Sequence, residues 1–426
     1  MMTIIVFLAA LLLGMPIVFL LAFASIVFLL QTDNQILFST IPLQLFKSVD
    51  KNGLLAIPMF MLVGELMNCG GLTNRMINLA DILVGRFRGG LAYVNLLTNT
   101  LASAILGSAT AQIAVMSRTM VPAMVERKYK LAFSTAVTVA GGMLGPVIPP
   151  SMIMIIYGIV SYQSVAAMFI AGILPGVLIA GCFALIIFLL GFVYDYPGGT
   201  KKENRPELWR TLAAGLLPAM IPMVIIIGVV SGVMTPTESG AIAAFLALVM
   251  CGFVYRNIGL KDIGTILRSV AVNSALVISL IGMATLFGWV LAFESVPDIL
   301  AESLQDISTS PIVFLLLTSL IIILLGTMLD GIGVMIVIVP ILLPVAENFG
   351  VDPVHFGVII AISTIIGLVT PPVGPGLYIA MEAAGVKMSP LFYAMLPFLG
   401  GLLLCLLIII LFPQLSVWLP TYFDLK

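Results

Sequence analysis

Charge is what this chain has least of. Asp, Glu, Lys and Arg together make up 9% of its 426 residues and hydrophobic residues 61%, whereas a soluble domain carries about 25% charged residues. A surface that poor in charge cannot face water, so the chain is an integral membrane protein. Histidine occurs once, at His355, and the cysteines Cys69, Cys182, Cys251 and Cys405 are widely separated. That spacing excludes a disulfide framework or a transition-metal site, and the cysteines read as small hydrophobes. His355 falls in the polar connector Val351-Asp352-Pro353-Val354-His355, where a structural or solvated histidine is expected. An intramembrane enzyme would need a reactive pair of side chains, which these residues do not supply. No basic stripe suits nucleic acid. The phosphate-binding pattern Gly-x-x-x-x-Gly-Lys-Ser/Thr is also missing, so any uphill transport must draw on an ion gradient or another subunit.

What is present is long apolar runs. Residues 3–32, 131–194, 269–293, 307–329, 356–381 and 388–423 contain no charge. At roughly 20 residues per spanning helix, about ten to twelve membrane segments are expected, some broken or re-entrant. The first run is too long and too apolar for a cleaved signal peptide.

One motif occurs twice within these runs. Gly145-Pro146-Val147-Ile148-Pro149-Pro150 returns as Gly367-Leu368-Val369-Thr370-Pro371-Pro372. Each copy interrupts what should be a continuous helix, and in hydrocarbon the freed backbone groups must be satisfied by protein or by a bound solute. Two breaks in corresponding positions point to a transporter binding site. Leu106-Gly107-Ser108 likewise matches Leu325-Gly326-Thr327, and Leu174-Pro175 matches Leu396-Pro397. Two homologous units follow, with residues 1–85 as N-terminal scaffold helices, 86–194 as the first transport repeat, 195–304 as a cytoplasmic loop, scaffold helices and an interfacial helix, and 305–426 as the second repeat.

Loop charges set the orientation. Arg86, Arg88, Arg127, Lys128 and Lys130 flank the first unit, whereas the equivalent connectors of the second carry Glu302, Asp306, Glu347 and Asp352. Short cytoplasmic loops are enriched in Lys and Arg, so equivalent loops lie on opposite sides, as in an inverted repeat. Residues 89–126 then read as a re-entrant hairpin with its tip near Ser103 to Thr110. Residues 311–346 read as a second hairpin with its tip near Gly326 to Asp330. Arg256, Lys261 and Arg268 mark an amphipathic segment expected along the membrane interface. The balanced charges of residues 31–52 leave the side of the N-terminal arm unassigned. The expected fold is thus an all-α integral membrane protein, an inverted repeat with two re-entrant hairpins and two broken helices. The first break is expected to face the cytoplasm and the second the periplasm.

A broken helix exposes carbonyls that suit a hard cation such as sodium, and N–H groups that suit a carboxylate. The candidate sodium ligands are Ser103, Ser108, Gly142, Gly145, Val147 and Pro150 in the first unit. In the second they are Gly326, Thr327, Gly367, Thr370 and Val373. Substrate candidates are Thr110, Ser151, Pro149, Pro371 and Asp330, the last because an intramembrane carboxylate is functional by default. Glu238, at a helix start, is placed to cap, and Glu65 is a weaker candidate of the same kind.

Ala56-Ile57-Pro58-Met59-Phe60, Ala171-Gly172-Ile173-Leu174-Pro175-Gly176, Thr235-Pro236-Thr237-Glu238-Ser239-Gly240-Ala241 and the two Pro-Pro breaks occur in this order along the chain. In them the sequence resembles the large membrane subunit of tripartite ATP-independent periplasmic (TRAP) transporters, of the DctM or SiaM type, and looks closest to the sialic acid branch. The resemblance implies a bacterial inner-membrane protein with an elevator-type transporter fold. It implies sodium-coupled uptake of a carboxylate such as sialic acid or a C4-dicarboxylate, with Na+ as the coupling ion. Its partners would be a small four-helix membrane subunit, expected as a separate chain, and a periplasmic substrate-binding protein. A sodium/carboxylate symporter that needs no binding protein is the alternative.

Overall fold

The computed structural model describes residue 10 and residues 14–31, 36–193, 196, 208–293, 295–306 and 308–425. Among these residues every regular element is a helix, as expected where no water can satisfy an open sheet edge. Among the described residues five helices are long and apolar enough to cross a bilayer singly, a further pair bent by 56° has the composition of a broken span or a re-entrant loop, and five apolar helices of 10–17 residues are shorter. The short ones are mostly hairpin arms and half-helices.

Four helices come first: α1 (Ile17–Gln31), α2 (Ile36–Val49), α3 (Ala56–Cys69) and α4 (Leu72–Val84). The first repeat follows as α5 (Gly90–Leu106), α6 (Ala109–Glu126), α7 (Leu131–Gly142), α8 (Met152–Val160) and α9 (Val165–Val193). Between the repeats lie α10 (Leu208–Val230), α11 (Pro236–Val249), α12 (Leu260–Phe293) and α13 (Val296–Gln305). The second repeat has the same order of elements: α14 (Pro311–Gly326), α15 (Gly331–Asn348), α16 (Pro353–Leu368), α17 (Pro375–Ala384) and α18 (Met388–Leu411), with α19 (Gln414–Tyr422) closing the chain.

Local chemistry sets several of these boundaries. Pro236 opens α11, and Thr235 and Glu238 form a reciprocal capping box: Thr235 Oγ1 accepts from the Glu238 N–H at 3.2 Å, and Glu238 Oε2 accepts from the Thr235 N–H at 2.8 Å. Glu238 is therefore a cap, as its position suggested. Asp352 caps α16 by accepting from the N–H groups of Val354 (2.9 Å) and His355 (3.1 Å). That cap, with Pro353 at the first helical position, draws His355 out of the connector in which the sequence placed it. The imidazole is buried in the first turn of α16, and neither ring nitrogen has a hydrogen-bond partner among the described residues. Lys261 and Arg268 fall in a helix, α12, which runs unbroken for 34 residues, roughly 51 Å, so the basic segment is continuous with the apolar residues that follow it.

In each repeat both hairpin arms pack on the first half of the broken helix: α5 and α6 on α7, and α14 and α15 on α16. The second halves cross over, so that α8 packs on α15 and α17 packs on α6. Neither repeat buries its apolar faces alone. The equivalent helices α9 and α18 run antiparallel: Cys182 lies beside Cys405, Ile186 against Gly401, and Leu190 beside Ala394.

The two breaks differ in cover. Helix α9 lies directly on the first: a Cβ on Gly172 would sit 2.3 Å from the Val147 carbonyl oxygen, and one on Gly176 2.7 Å from the Ile148 side chain. The equivalent residues of α18 are Ala394 and Phe398, which forbid the same approach. Pro149, Pro150 and Ser151 are accordingly buried, whereas Pro371, Pro372 and Val373 are exposed.

Candidate functional site

The tip of the first hairpin is two residues long. Gly107 ends α5 at φ +58° and Ser108 starts α6 in extended backbone; a residue with a Cβ would be strained at that φ and would press within 3.1 Å of the Met152 nitrogen. The Gly107 carbonyl accepts from the Met152 N–H at 3.4 Å, which ties the tip to the start of α8. The tip of the second hairpin, residues 327–330, is joined to α17 in the same way, with the Thr327 carbonyl accepting from the Gly374 N–H at 3.0 Å.

Behind the first tip lies a buried polar network. Gln112 on α6 donates to the Asn99 carbonyl (2.6 Å) and to Asn99 Oδ1 (3.0 Å), and contacts Ser103 Oγ at 3.3 Å. Asn99 Nδ2 donates to Asn95 Oδ1 at 2.7 Å, and Asn95 Nδ2 to Thr138 Oγ1 at 2.7 Å. All five residues are fully buried. Gly145 rests against this network, since a Cβ there would come within 2.8 Å of Gln112 Oε1 and 3.5 Å of the Ser108 carbonyl carbon, and its N–H donates to the Gly142 carbonyl at 3.3 Å. The structure therefore gathers Ser103, Ser108, Gly142 and Gly145 around Gln112. Among the described residues, no N–H donates to the carbonyls of Gly145, Val147 or Pro150. The Val147 carbonyl faces Gly172 of α9, and that of Pro150 lies beside Gly107.

The second unit is built more tightly. Gly326 and Gly367 are in backbone contact where α14 meets α16; a Cβ on Gly367 would fall 2.7 Å from the Gly326 Cα. Both candidate hydroxyls serve their own helices, Thr327 Oγ1 donating to the Leu324 carbonyl (2.8 Å) and Thr370 Oγ1 to the Ile366 carbonyl (2.6 Å). Ser363, one turn before Gly367, and Ser319 on α14 are buried with hydroxyls that find no partner among the described residues. An orphaned hydroxyl oxygen is a hard donor of the kind a small cation takes. Val373 is exposed and offers only its backbone.

The two tips meet at a cavity of about 400 Å³ whose opposite wall is formed by α3 and α12. Ser108, Thr110 and Asp330 line it from the hairpins, and Glu65, Asn68 and Asn273 from the wall. Ser108 and Thr110 hydroxyls are 3.0 Å apart, and Asp330 accepts from the Ile332 N–H at 3.2 Å while capping α15. Glu65 Oε1 accepts from Ser269 Oγ at 2.7 Å, which spans α3 and α12. Among the described residues, no Lys or Arg lines the cavity. Of the substrate candidates, Thr110 and Asp330 are thus brought together. Ser151 is not: buried, it caps α8 by accepting from the Met154 N–H (3.4 Å) and donating to the Pro146 carbonyl (2.6 Å). Pro149 and Pro371 do not line the cavity either.

Sequence reasoning missed Gln112, Asn95, Asn99, Asn68 and Asn273. The visible signal was amides in apolar helices, with Asn95 and Asn99 one turn apart. Only the fold places Gln112 opposite them.

Compared with known proteins, residues 4–415 match the family model described as the tripartite ATP-independent periplasmic transporter, DctM component. The sialic acid TRAP transporter large permease protein SiaM of Vibrio cholerae is 36% identical over 413 residues, 96% of either chain. The C4-dicarboxylate TRAP transporter large permease protein DctM of Rhodobacter capsulatus is 32% identical over 97% of this chain and 96% of its own. In fold, the chain resembles the YdaH transporter of Alcanivorax borkumensis, with a TM-score of 0.63 at 18% identity, over 92% of this chain and 90% of that one.

Proposed function

This chain belongs to the DctM component family of tripartite ATP-independent periplasmic transporters, and we propose that it couples uptake of a hydroxylated carboxylate to sodium entry by an elevator motion. It is a transporter permease subunit rather than an enzyme, and a multi-pass protein of the bacterial inner membrane. The observation that carries the reading is the meeting of both hairpin tips, one from each repeat, at one cavity against a wall of other helices. Each tip is bonded to its half-helix through backbone, so tips and half-helices can travel together past α3 and α12. The antiparallel packing of α9 on α18 supports inversion of the repeats. Sodium would bind as cargo between each tip and its break, a reading supported in the first unit by the carbonyls of Gly145, Val147 and Pro150, which accept no N–H among the described residues.

The wall chemistry supports the choice of substrate. Glu65 and Asp330 repel a second carboxylate, while with Asn68 and Asn273 they accept and donate hydrogen bonds to hydroxyls. A polyhydroxylated monocarboxylate such as sialic acid fits this set better than a C4-dicarboxylate. Its single negative charge would be offset by co-bound sodium. A binding protein would deliver it, and a small membrane subunit, as a separate chain, would complete the assembly. A self-sufficient symporter is the second reading, supported by the cavity lining that α3, α6, α12 and α15 contribute.

Uptake into proteoliposomes tests these points. The expected result is accumulation of the hydroxylated acid only with an inward sodium gradient, the small subunit and the binding protein together. Uptake indifferent to sodium would sink the coupling. Sodium-driven uptake without the binding protein would favour the second reading.

A further inference from the structure

Between Arg88 and Glu126 the chain carries one charged residue, Arg118, and it stands halfway along α6, the second arm of the first hairpin. The offset that pairs Gly107 with Gly326 pairs Arg118 with Val337, which is buried in α15. A hairpin of this build therefore does not need an arginine at that place. A cation midway along a membrane arm is costly, and is kept where it faces a water-filled cavity.

The face of the helix says which cavity. Gln112, Ile113, Met116, Ser117 and Met120 belong to the buried side of α6. Ala111, Val115 and Arg118 follow one another at i, i+4 and i+7 on the other side, Ala111 and Arg118 exposed and Val115 half-buried. Ala111 and Val115 line the cavity of about 400 Å³ between the hairpin tips and the wall. Arg118 lies one turn further on, about 4.5 Å along the axis from Val115, and the tilt of helical side chains leans it back toward the cavity. Among the described residues it makes no hydrogen bond or ion pair. The opposite wall leads the same way. Its lining on α3 extends from Phe60 to Asn68, and just beyond it the Gly70 carbonyl accepts at 2.8 Å from Asn257, in the connector that carries Arg256 and Lys261. Helix α6 ends beside Arg127 and Lys128. Both strips thus run to the basic face, which loop charge assigns to the cytoplasm.

Resting on the uptake reading above, we propose that Arg118 is a carboxylate-binding residue at the cytoplasmic mouth of the cavity, which takes the transported acid as it leaves. Once sodium has departed, Glu65 and Asp330 repel the carboxylate. One turn down, the planar guanidinium donates paired hydrogen bonds to it and draws it toward the cytoplasm. Loading from the periplasm reaches the cavity from its other end and is independent of Arg118.

Sided kinetics in proteoliposomes test this, with N-acetylneuraminate as probe and with the small subunit and binding protein present. In Arg118→Gln, KM for internal acid, read by exchange, should rise about tenfold, with KM for acid delivered by the binding protein unchanged. Arg118→Lys should recover part of the loss, and Arg127→Gln should leave both constants alone. Equal shifts of both KM values would overturn the site, since a structural defect acts on both sides, and so would the same effect from Arg127→Gln, which would mark diffuse surface charge. An unchanged internal KM in Arg118→Gln that still transports would overturn the site and leave the uptake reading intact. Absence of sodium-driven uptake by the unsubstituted chain would sink that reading, and the site with it. A second measurement does not depend on transport by the variant. With Cys69 replaced by Ser, Arg118→Cys should react with a hydrophilic maleimide, and N-acetylneuraminate should slow the reaction. No labelling, or labelling that the acid does not slow, would equally overturn the site.

Discussion

The N–H of Gly374 donates to the carbonyl of Thr327 at 3.0 Å, and the N–H of Met152, at the equivalent place in the first repeat, donates to the carbonyl of Gly107 at 3.4 Å. Met152 and Gly374 each lie seven residues beyond the glycine that opens their motif, Gly145 or Gly367. One backbone bond thus fastens each hairpin tip to the half-helix after the break, and no side-chain identity is needed to make it. The repeat survives in geometry even where the residues differ.

The contact of Gly326 with Gly367 makes the second hairpin sensitive to a single methyl group. In Gly367→Ala the new Cβ would meet the Ile323 carbonyl oxygen at 2.5 Å, and backbone cannot yield as a side chain does. We expect a loss of about 1–3 kcal/mol, as for overpacked cores, seen as a lower Tm of the purified protein together with lost uptake. An unchanged Tm would mean that α14 and α16 do not touch at this point.

Gln112 gives a second case, through polar satisfaction. Gln112→Leu strips Asn99 Oδ1 of its donor inside a fully buried cluster, whereas the Asn99 carbonyl keeps the Ser103 hydroxyl at 2.8 Å. Each unsatisfied buried group costs about 1–3 kcal/mol. Thermal unfolding should reveal this, and the double variant Gln112→Leu with Asn99→Leu should recover part of it. Strict additivity of the two losses would contradict the network.

The unequal cover of the two breaks can be read by labelling. With Cys69 replaced by Ser to remove the exposed native thiol, Val373→Cys should react with a hydrophilic maleimide at least tenfold faster than Ser151→Cys. Val373 is 39% exposed whereas Ser151 is fully buried. Equal rates would show that α9 does not seal the first break.

Charge in the cavity should govern substrate preference. Glu65→Gln keeps an acceptor for Ser269 Oγ while removing one negative charge from the wall. We expect KM for a dicarboxylate to fall several-fold relative to that for a hydroxylated monocarboxylate. Asp330→Asn should act in the same direction. A parallel change in both KM values would show that these carboxylates do not discriminate by charge.

Helix capping offers a control remote from transport. Thr235→Ala removes the acceptor for the Glu238 N–H and should lower stability by about 1 kcal/mol, with KM for the solute unchanged.

Much of the fold was legible because membrane packing rules are strict. Charge scarcity required helices, the twin Gly-x-Val-x-Pro-Pro motifs located both breaks, and the glycines at 107 and 326 located both hairpin tips. These are backbone constraints, and a sequence records them directly. His355 was misplaced, since the Asp352 cap overrides what loop composition suggests.

By itself the sequence determined a helical membrane protein of two related units, each with a hairpin and a broken helix, because unpaired backbone in hydrocarbon tolerates few alternatives. Only the tertiary structure decided that Glu65 shares a cavity with Ser108 and Asp330, that Gln112 closes a network with Asn99, and that the first break is sealed while the second is open. Those outcomes depend on which helices cross and how closely. Such distances are set by the summed packing of residues remote in sequence, and no single segment encodes them.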